Sequence, residues 1–159
     1  MIFISVGSQK FQFNRLLAEI DRLIENNTIT DKVFAQIGNS DYKPRNYKYV
    51  DFVTQDDFNK LIEKSDIIIT HGGTGVIINS IKKGKKVIAI PRLSKYKEHV
   101  DDHQIQLINE FKELNLIEAI HEVDELEKAI KKNKEKRYNK YISNTSKIVE
   151  SIEKFLGSD

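Results

Sequence analysis

The sequence predicts an α/β fold, in which a doubly wound parallel sheet carries helices on both faces. Apolar runs of strand length alternate with amphipathic segments along the chain, and the connections between them are short. One run contains three consecutive isoleucines, Ile67 to Ile69, as expected for a strand that is buried on both faces. No repeat or internal boundary interrupts the alternation, so we expect residues 1–159 to form a single domain.

The predicted strands are apolar segments that end at turn-forming residues. The first lies at the N-terminus, the second ends at Gly38, and the fifth ends at Pro91. A loop over 39–46, which contains Pro44, precedes the third. In chain order, the predicted strands span residues 2–6, 32–37, 47–53, 67–70, 87–90 and 117–120.

The predicted helices have recognisable ends. Asn14 and Thr54 are candidate N-caps, because their side chains can accept a hydrogen bond from the first helical turn. Gly84 is a candidate residue for the turn that ends a helix. The helix after Asn14 has an apolar face made of Leu16, Leu17, Ile20, Leu23 and Ile24. The later predicted helices span 55–64, 74–83, 99–113 and 123–132. An apolar stripe predicts a last helix over about 134–157, which either packs against its own domain or contacts a partner.

Composition excludes several classes of protein. Lys and Arg total 26 against 24 Asp and Glu, so the formal charge of +2 gives no field that favours nucleic acid. The absence of cysteine excludes disulfides and cysteine-ligated metals. The apolar N-terminus is too short for a signal peptide, and no run approaches the roughly 18 apolar residues of a membrane span. We therefore expect a soluble, cytoplasmic protein that reaches a membrane only through a partner or a surface.

The turn after the fourth strand is the most informative motif. His71, Gly72, Gly73, Thr74 and Gly75 join a buried strand to a helix. Glycines allow close approach of the backbone, and the free N–H groups and dipole of the helix start favour an anion. The motif predicts a phosphate site, with a plain tight turn as the alternative. It lacks the features of a Walker A loop and of a dinucleotide fingerprint, which disfavours P-loop NTPases and nicotinamide dehydrogenases.

Two other loops are expected at the same edge of the sheet, because ligands of parallel sheets bind beyond the carboxyl ends of the strands. Gly7, Ser8 and Gln9 follow the first strand, and residues 92–104 follow the fifth. His71 either donates a hydrogen bond to a phosphate or has a purely structural role. The three loops should converge on one site.

The segment Glu98 to Gln104 is dense in polar groups and has more than one interpretation. His99 and His103 are four residues apart, as in some zinc sites, but no third ligand is evident, so we expect no metal. Asp102 and Gln104 offer the acceptors and donors that sugar hydroxyls need. The alternative is that the acids only complement the dipole of the helix that starts here.

Two basic stretches also have two interpretations each. Residues 92–97 either help to hold a diphosphate or are solvated. Residues 131–140 are rich in lysine, which usually indicates a solvated helix face. The other interpretation of 131–140 is attraction to anionic lipid or to an acidic partner.

Four motifs follow one another in a recognisable order. They are V-G-S at 6–8, H-G-G-T-G at 71–75, G-K-x-V-x-x-x-P-R at 84–92 and E-H-x-D-D-H-Q at 98–104. Over about residues 1–116, this order resembles the glycosyltransferase family 28 C-terminal domain, the donor-binding half of a GT-B glycosyltransferase. The chain is most similar to the short stand-alone subunits of bacterial capsule and exopolysaccharide synthesis and of the dolichol-linked N-acetylglucosaminyltransferase. The resemblance implies a Rossmann-like sheet of the GT-B C-terminal type.

The resemblance also implies which residues bind the donor. The glycine-rich turn faces the diphosphate, with His71 as a possible catalytic group, and Asp102 and Gln104 contact the donor sugar. Many members have a glutamate where this chain has Asn79, so we expect a weaker ribose contact there and consider Glu98 a substitute. The implied donor-binding residues, with no metal among their ligands, are Gly7, Ser8, His71, Gly72, Gly73, Thr74, Gly75, Asn79, Glu98, Asp102 and Gln104.

The implied function is inverting transfer of a sugar from a UDP-sugar to a lipid-diphosphate-linked saccharide in capsular or exopolysaccharide synthesis, with no cofactor beyond the donor. A complete GT-B enzyme has a second domain that binds the acceptor and usually supplies the general base. We therefore expect a membrane-anchored partner subunit that holds this chain at the inner face of the membrane. The alternatives are a non-catalytic nucleotide-sugar-binding or regulatory module, favoured by Asn79, and a sugar-nucleotide epimerase, which would need a longer chain.

Overall fold

The computed structural model describes residues 1–7, 11–98 and 102–141, and these contain a six-stranded, wholly parallel sheet. The strand order is β3-β2-β1-β4-β5-β6, so the chain builds outward from β1 on one side and then crosses to β4 and builds outward on the other. This reversal confirms the predicted doubly wound α/β fold. The third predicted strand is shorter than expected. The strands are β1 Ile2–Ser5, β2 Val33–Gln36, β3 Lys48–Val50, β4 Ile67–Thr70, β5 Lys86–Ala89 and β6 Glu118–Ala119.

Helices cover both faces of this sheet. Helices α1 (Asn14–Glu25) and α5 (Leu126–Glu135) pack on one face. Helices α2 (Gln55–Lys64), α3 (Thr74–Lys82) and α4 (Asp102–Glu113) pack on the other. None of the described helices is long and apolar enough to cross a membrane.

The three isoleucines of β4 show why this strand is central. Ile67 and Ile69 join the apolar core beneath α1 and α5, whereas Ile68 joins the core beneath the other three helices. All three are buried. Burial of each side chain stabilises the fold by roughly 1.5–3 kcal/mol, so a strand with helices on both sides favours an unbroken apolar run.

The two predicted N-caps have different outcomes. Thr54 caps α2 as predicted, since its hydroxyl accepts a hydrogen bond from the N–H of Asp57 at 3.2 Å. The prediction for Asn14 is wrong, because Asn14 is the first residue of α1 and makes no cap bond. Its side-chain oxygen instead accepts hydrogen bonds from the N–H groups of Asp41 and Tyr42, each at 2.9 Å, and so fixes the loop before β3.

The predicted end of α3 at Gly84 is confirmed. Gly84 has a φ of +73°, which L side chains rarely adopt. Its N–H donates to the carbonyl of Ile81 at 3.1 Å, and the N–H of Lys85 donates to the carbonyl of Ser80 at 3.0 Å. These two bonds form a Schellman motif, which satisfies carbonyl groups at the end of the helix.

The C-terminal part differs from the predicted bounds. The segment predicted as one helix from Val123 begins with a 3₁₀ turn over Val123–Glu125, and only then continues as α5. The last predicted helix, over about 134–157, is wrong at its start, because residues 136–141 are not helical. The rest of that prediction lies in 142–159, outside the described residues.

The lysine-rich stretch 131–140 forms several ion pairs on the surface. These pairs account for its charge without a ligand, as a solvated helix face would, and the interpretation as a lipid-binding or partner-binding stretch stays a prediction. The pairs are Lys131–Glu127 at 3.4 Å, Lys132–Glu118 at 3.5 Å, Lys134–Asp31 at 3.1 Å and Lys136–Glu118 at 3.6 Å.

Candidate functional site

A crevice opens where the carboxyl ends of β1 and β4 part, at the point where the strand order reverses. Ser5 and Thr70 are paired across the ends of these strands, and the N–H of His71 donates to the carbonyl of Ser5 at 3.4 Å. Gly7 and His71 lie just beyond these strand ends, with the ring of His71 against Gly7. A cleft of about 400 Å³ lies beside the crevice, lined by Ser5, Gly7, Gln36, Val53, Gln55, Phe58, Gly75, Val76 and Asn79.

The N-terminus of α3 points into this region without a cap. Gly73 occupies the N-cap position and has no side chain to bond the first turn, and that turn contains no acidic residue. Gly72 has a φ of +100°, which lets the chain turn sharply from β4 into the helix. A Cβ on Gly75 would meet no atom within 4 Å. This end of α3 therefore has both the N–H groups and the open space that a phosphate needs.

The ring of His71 packs between the two turns. A Cβ on Gly7 would lie 2.7 Å from its Cε1 atom, and a Cβ on Gly73 would lie 3.0 Å from the same atom. Position 7 therefore requires glycine while the imidazole occupies this place, whereas a side chain at position 73 would displace the ring by a few tenths of an ångström. His71 thus has an architectural role beyond the hydrogen-bonding role considered from the sequence.

The environment of His71 keeps its imidazole neutral. Burial, aided by the positive charge of Arg92, lowers the pKa of His71 to about 3, and the carbonyl of Ser5 acts in the opposite direction. At neutral pH the ring therefore has one N–H that can donate a hydrogen bond. A base with so low a pKa is poorly matched to proton abstraction near pH 7, so the ring suits donation better than general-base chemistry.

Four buried polar atoms around the crevice have no hydrogen-bond partner among the described residues. They belong to the end of β1, the turn from β4 into α3 and the loop after β5. Native structures leave few buried polar atoms unpaired without a reason. Each unpaired group costs about 1–3 kcal/mol. A polar ligand in the crevice would offset that cost. The atoms are Ser5 Oγ, His71 Nδ1, Thr74 Oγ1 and Arg92 Nε.

Asn79, where the family resemblance implies a glutamate in many members, lines the same cleft. Its Nδ2 donates to Oδ1 of Asn59 at 2.8 Å, and Nε2 of Gln55 donates to the same oxygen at 3.3 Å. This hydrogen bond from Asn79 to Asn59 fixes the orientation of the Asn79 amide. The contact of Asn79 with a ribose hydroxyl stays a prediction, and the structure leaves its amide oxygen without a partner among the described residues.

Glu98 is buried and already has several partners. Its carboxylate accepts hydrogen bonds from Arg15, through Nη2 at 3.0 Å and Nε at 3.2 Å, and from the N–H of Leu93 at 3.0 Å. These bonds tie the loop after β5 to α1. They give Glu98 a structural role, and its direct contact with a donor stays a prediction.

Arg92 lies at the site, although the sequence did not single it out from the basic stretch. The signal in the sequence was its place after Pro91, at the carboxyl end of β5. It is 2% exposed, and its guanidinium contacts the loop after β1. Arginine is almost never fully buried unless it is paired, so the burial of Arg92 beside the candidate site suggests a function.

The remaining predicted residues are only partly described. Ser8 and His99 lie outside the described residues, and the backbone of Asp102 and Gln104 forms the first turn of α4. Their contacts with a donor sugar stay predictions. In the ranges that the structure describes, no group of three His, Asp or Glu side chains is arranged to hold a metal ion.

Comparisons with known proteins identify the family of the chain. The model of the glycosyltransferase family 28 C-terminal domain matches residues 1–156. The chain is 26% identical over 108 residues to the UDP-N-acetylglucosamine transferase subunit ALG13 of Candida albicans, covering 68% of this chain and 35% of that protein. It is 29% identical over 98 residues to the subunit of the same name from Kluyveromyces lactis, covering 60% and 48%. The chain thus matches between about a third and a half of the length of these relatives.

Solved structures share the fold. The crystal structure of the glycosyltransferase of kitacinnamycin superposes with a TM-score of 0.64 at 18% identity, covering 96% of this chain and 37% of that one. The solution structure of ALG13 superposes with a TM-score of 0.60 at 20% identity, covering 98% and 94%. These likenesses confirm a Rossmann-like fold of the GT-B type. With a family model that matches nearly its whole length, the chain belongs to the glycosyltransferase family 28 C-terminal domain family.

Proposed function

We propose that this chain is the donor-binding, catalytic subunit of an inverting glycosyltransferase that takes its sugar from a UDP-sugar. The observation that carries the proposal is the crevice between β1 and β4. There the uncapped start of α3 and the open space at Gly75 lie beside the unpartnered atoms of Ser5, His71 and Thr74. Two relatives are named as UDP-N-acetylglucosamine transferase subunits, which makes UDP-N-acetylglucosamine the first donor to test.

The crevice suits a reaction in which negative charge grows on a leaving diphosphate. The bond between the anomeric carbon and the diphosphate oxygen breaks, and UDP leaves with the bonding electrons. The N–H groups at the start of α3 and the neutral imidazole of His71 are fixed before the reaction begins, so they stabilise this charge without reorganisation. The acceptor oxygen attacks the opposite face of the sugar, which inverts the configuration at the anomeric carbon.

The proton of the acceptor hydroxyl needs a base, and the described cleft offers none. None of its nine lining residues is acidic or a histidine, and the pKa of His71 is lowered to about 3 chiefly by burial. We infer that a partner subunit supplies the base from the opposite side of the crevice. A second half of this kind is what a GT-B enzyme requires to bind its acceptor.

The proposed acceptor is a lipid-diphosphate-linked saccharide of capsular or exopolysaccharide synthesis. The resemblance of the four sequence motifs to those of capsule and exopolysaccharide subunits motivates this choice, and the names of the relatives support a multi-subunit transferase. The proposed partner is membrane-anchored, because a lipid-linked acceptor stays at the membrane. The chain would then work at the inner face of the membrane.

A non-catalytic nucleotide-sugar-binding module is the second candidate. The observation in its favour is Asn79, an uncharged residue held by Asn59 at the cleft. A ribose contact made by an amide is weaker than one made by a carboxylate. Such a module would bind the donor and leave transfer to another protein.

Donor binding is tested with two matched glycine variants. Gly75→Ala places a methyl group in the open space at the first turn of α3, so we expect the affinity for UDP to fall at least about tenfold. Because alanine favours the helix, we expect the free energy of unfolding to rise by roughly 0.5–1 kcal/mol. Gly84→Ala also meets open space, but its φ of +73° strains the backbone by about 1–2 kcal/mol. It lies at the other end of α3, so UDP affinity should stay within about twofold. Calorimetry and urea unfolding measure the two effects.

Turnover separates the two candidate functions. The chain is combined with the co-expressed membrane partner, labelled UDP-N-acetylglucosamine and a lipid-diphosphate saccharide, and product is measured with wild type and with Gly75→Ala. The catalytic proposal expects product that falls with Gly75→Ala in parallel with UDP affinity. Binding without product in the complete mixture supports the non-catalytic module, and absence of UDP-sugar binding by the wild type overturns both.

A further inference from the structure

We propose that Arg92 is a positioning residue of the donor site, which holds the loop after β1 and places a buried positive charge behind the diphosphate. The inference rests on the proposed function and deepens it. Neither the family match nor the names of the relatives assigns a role to this side chain. The contacts of Arg92, its burial and its effect on His71 carry the argument.

Arg92 bridges the two ends of the loop that follows β1. Its Nη2 atom donates a hydrogen bond to the carbonyl of Val6 and another, at 3.3 Å, to the carbonyl of Phe11. Between these two carbonyls lies Gly7, one of the residues that line the cleft. The side chain therefore fixes the loop expected to face the phosphates, from inside the protein.

Among the side chains that the structure describes, none is a counter-ion in contact with Arg92. The side chain of Arg92 is 2% exposed, and these described groups include neither a hydrogen-bond partner for its Nε atom nor a carboxylate within 4.0 Å. Burial lowers the pKa of Arg92 to about 10, and Glu98 raises it, so the group stays charged at neutral pH. Burying a cation without direct pairing is costly. A nearby anionic ligand would offset this cost.

The carboxylate of Glu98, which raises the pKa of Arg92, is already bound by a second arginine. Glu98 accepts two hydrogen bonds from Arg15, and Arg15 is largely buried as well. Among the described side chains, Glu98 is thus bound by Arg15 and acts on Arg92 only through its charge, which leaves these two buried arginines with an excess of positive charge. Glu122 lies 3.7 Å from Arg15, but it is partly exposed and also pairs with Lys95 at 2.6 Å.

The excess charge acts inside the crevice. Arg92 is close enough to His71 to lower the pKa of that imidazole, and His71 packs against Gly7 and Gly73 at the crevice. An anion in the crevice would therefore experience the same charge, with little water to screen it. A fixed charge of this kind favours the leaving diphosphate more as its charge grows.

The first test varies the charge of the ligand. Affinities for UDP, UMP and uridine are measured by calorimetry, with competition for the weaker ligands, in wild type and in Arg92→Met. We expect Arg92→Met to lose about tenfold or more for UDP, less for UMP and under about twofold for uridine. Arg22→Met, an exposed arginine on α1, is the matched control and should leave all three affinities unchanged.

The second test uses Arg92→Lys and answers the case in which Arg92→Met fails to fold. A buried lysine loses its proton far more readily than arginine. We expect UDP affinity in Arg92→Lys to fall several-fold between pH 7 and pH 9.5, beyond any change in wild type. The uridine affinity of Arg92→Lys should change with pH only as much as it does in wild type. An Arg92→Lys protein whose UDP affinity follows the wild-type pH profile contradicts the role of the charge.

The outcomes separate the inference from the proposed function. Equal losses for UDP, UMP and uridine in Arg92→Met would show a purely structural role and overturn the inference, while UDP binding by wild type still supports the donor site. If wild type binds none of the three ligands, the proposed function itself fails. A loss that grows with ligand charge supports both.

Discussion

The imidazole of His71 occupies the space that a β-carbon on Gly7 would need. That carbon would lie 2.7 Å from Cε1 and 3.0 Å from Nε2 of the ring. Gly7 also has a φ of +83°, so glycine is favoured there by backbone conformation and by packing. The contact joins the loop after β1 to the loop after β4, which are the two sides of the crevice. A change at either residue should therefore affect the other.

A double-mutant cycle tests this coupling. We expect Gly7→Ala to destabilise the protein through the strain of a left-handed residue, about 1–2 kcal/mol, and additionally through the clash with the ring. In a His71→Ala background the clash is absent, so only the strain should remain. Urea unfolding of the wild type, both single variants and the double variant gives the coupling energy, expected at about 1 kcal/mol or more. Additive effects would mean that the ring does not fill this space.

The pKa of His71 predicts how stability depends on pH. In the unfolded chain the histidine titrates near its ordinary value of 6.5, whereas burial, aided by Arg92, lowers its folded pKa to about 3. Between these values the unfolded state binds a proton that the folded state does not, so stability is complete above about pH 6.5 and declines as the pH falls. The slope from this group is about 1.4 kcal/mol per pH unit.

The matched variant for that prediction is His71→Gln, which removes the titration and keeps a polar side chain. The free energy of unfolding is measured at pH 7.5 and pH 5.0 in both proteins. We expect the wild type to lose on the order of 2 kcal/mol more than the variant over this interval. Parallel losses in the two proteins would show that the folded pKa is not depressed.

Local patterns predicted the parts of the fold that depend on local interactions. Thr54 caps α2 through a residue three positions away, and Gly84 ends α3 through bonds within its own turn. Asn14 has an equally good capping side chain, but it bonds a loop 27 residues away. Nothing in the sequence around Asn14 shows that loop. The prediction therefore failed where a tertiary contact competed with a local one.

The candidate site shows the same division. The turn at 71–75 was predicted because its residues and the strand before it are contiguous. The pairing of Glu98 with Arg15 joins residues 83 positions apart, so the sequence left Glu98 as a possible donor contact. Arg92 likewise contacts the carbonyls of Val6 and Phe11, which lie more than 80 positions away in the sequence.

The cap on α2 gives a stability prediction that is independent of function. Thr54→Ala removes the hydroxyl that accepts the N–H of Asp57, and we expect a loss of about 1 kcal/mol in the free energy of unfolding. Thr54→Ser keeps an oxygen in the same position and should restore most of that loss. Urea unfolding measures both variants. Equal stability of the Ala and Ser variants would show that the hydrogen bond contributes nothing.

Asn79 gives a prediction about donor affinity. Its amide lines the cleft and is held by Asn59 at 2.8 Å. The family resemblance implies a glutamate at position 79 in many members. Hydrogen bonds to a charged acceptor contribute about 1.5–3 kcal/mol, against about 0.5–1.5 kcal/mol for a neutral one. We therefore expect Asn79→Glu to bind UDP roughly five- to tenfold more tightly and Asn79→Leu to bind it more weakly, as measured by calorimetry.

The matched ligand for this prediction is 2′,3′-dideoxyuridine diphosphate, which lacks both ribose hydroxyls. If the residue at position 79 contacts those hydroxyls, wild type, Asn79→Glu and Asn79→Leu should bind this ligand with similar affinities, because the distinguishing contact is absent. An Asn79→Glu protein that gains nothing with UDP would show that the ribose is held elsewhere. A gain with both ligands would contradict the ribose contact, since the added carboxylate would then act without the hydroxyls.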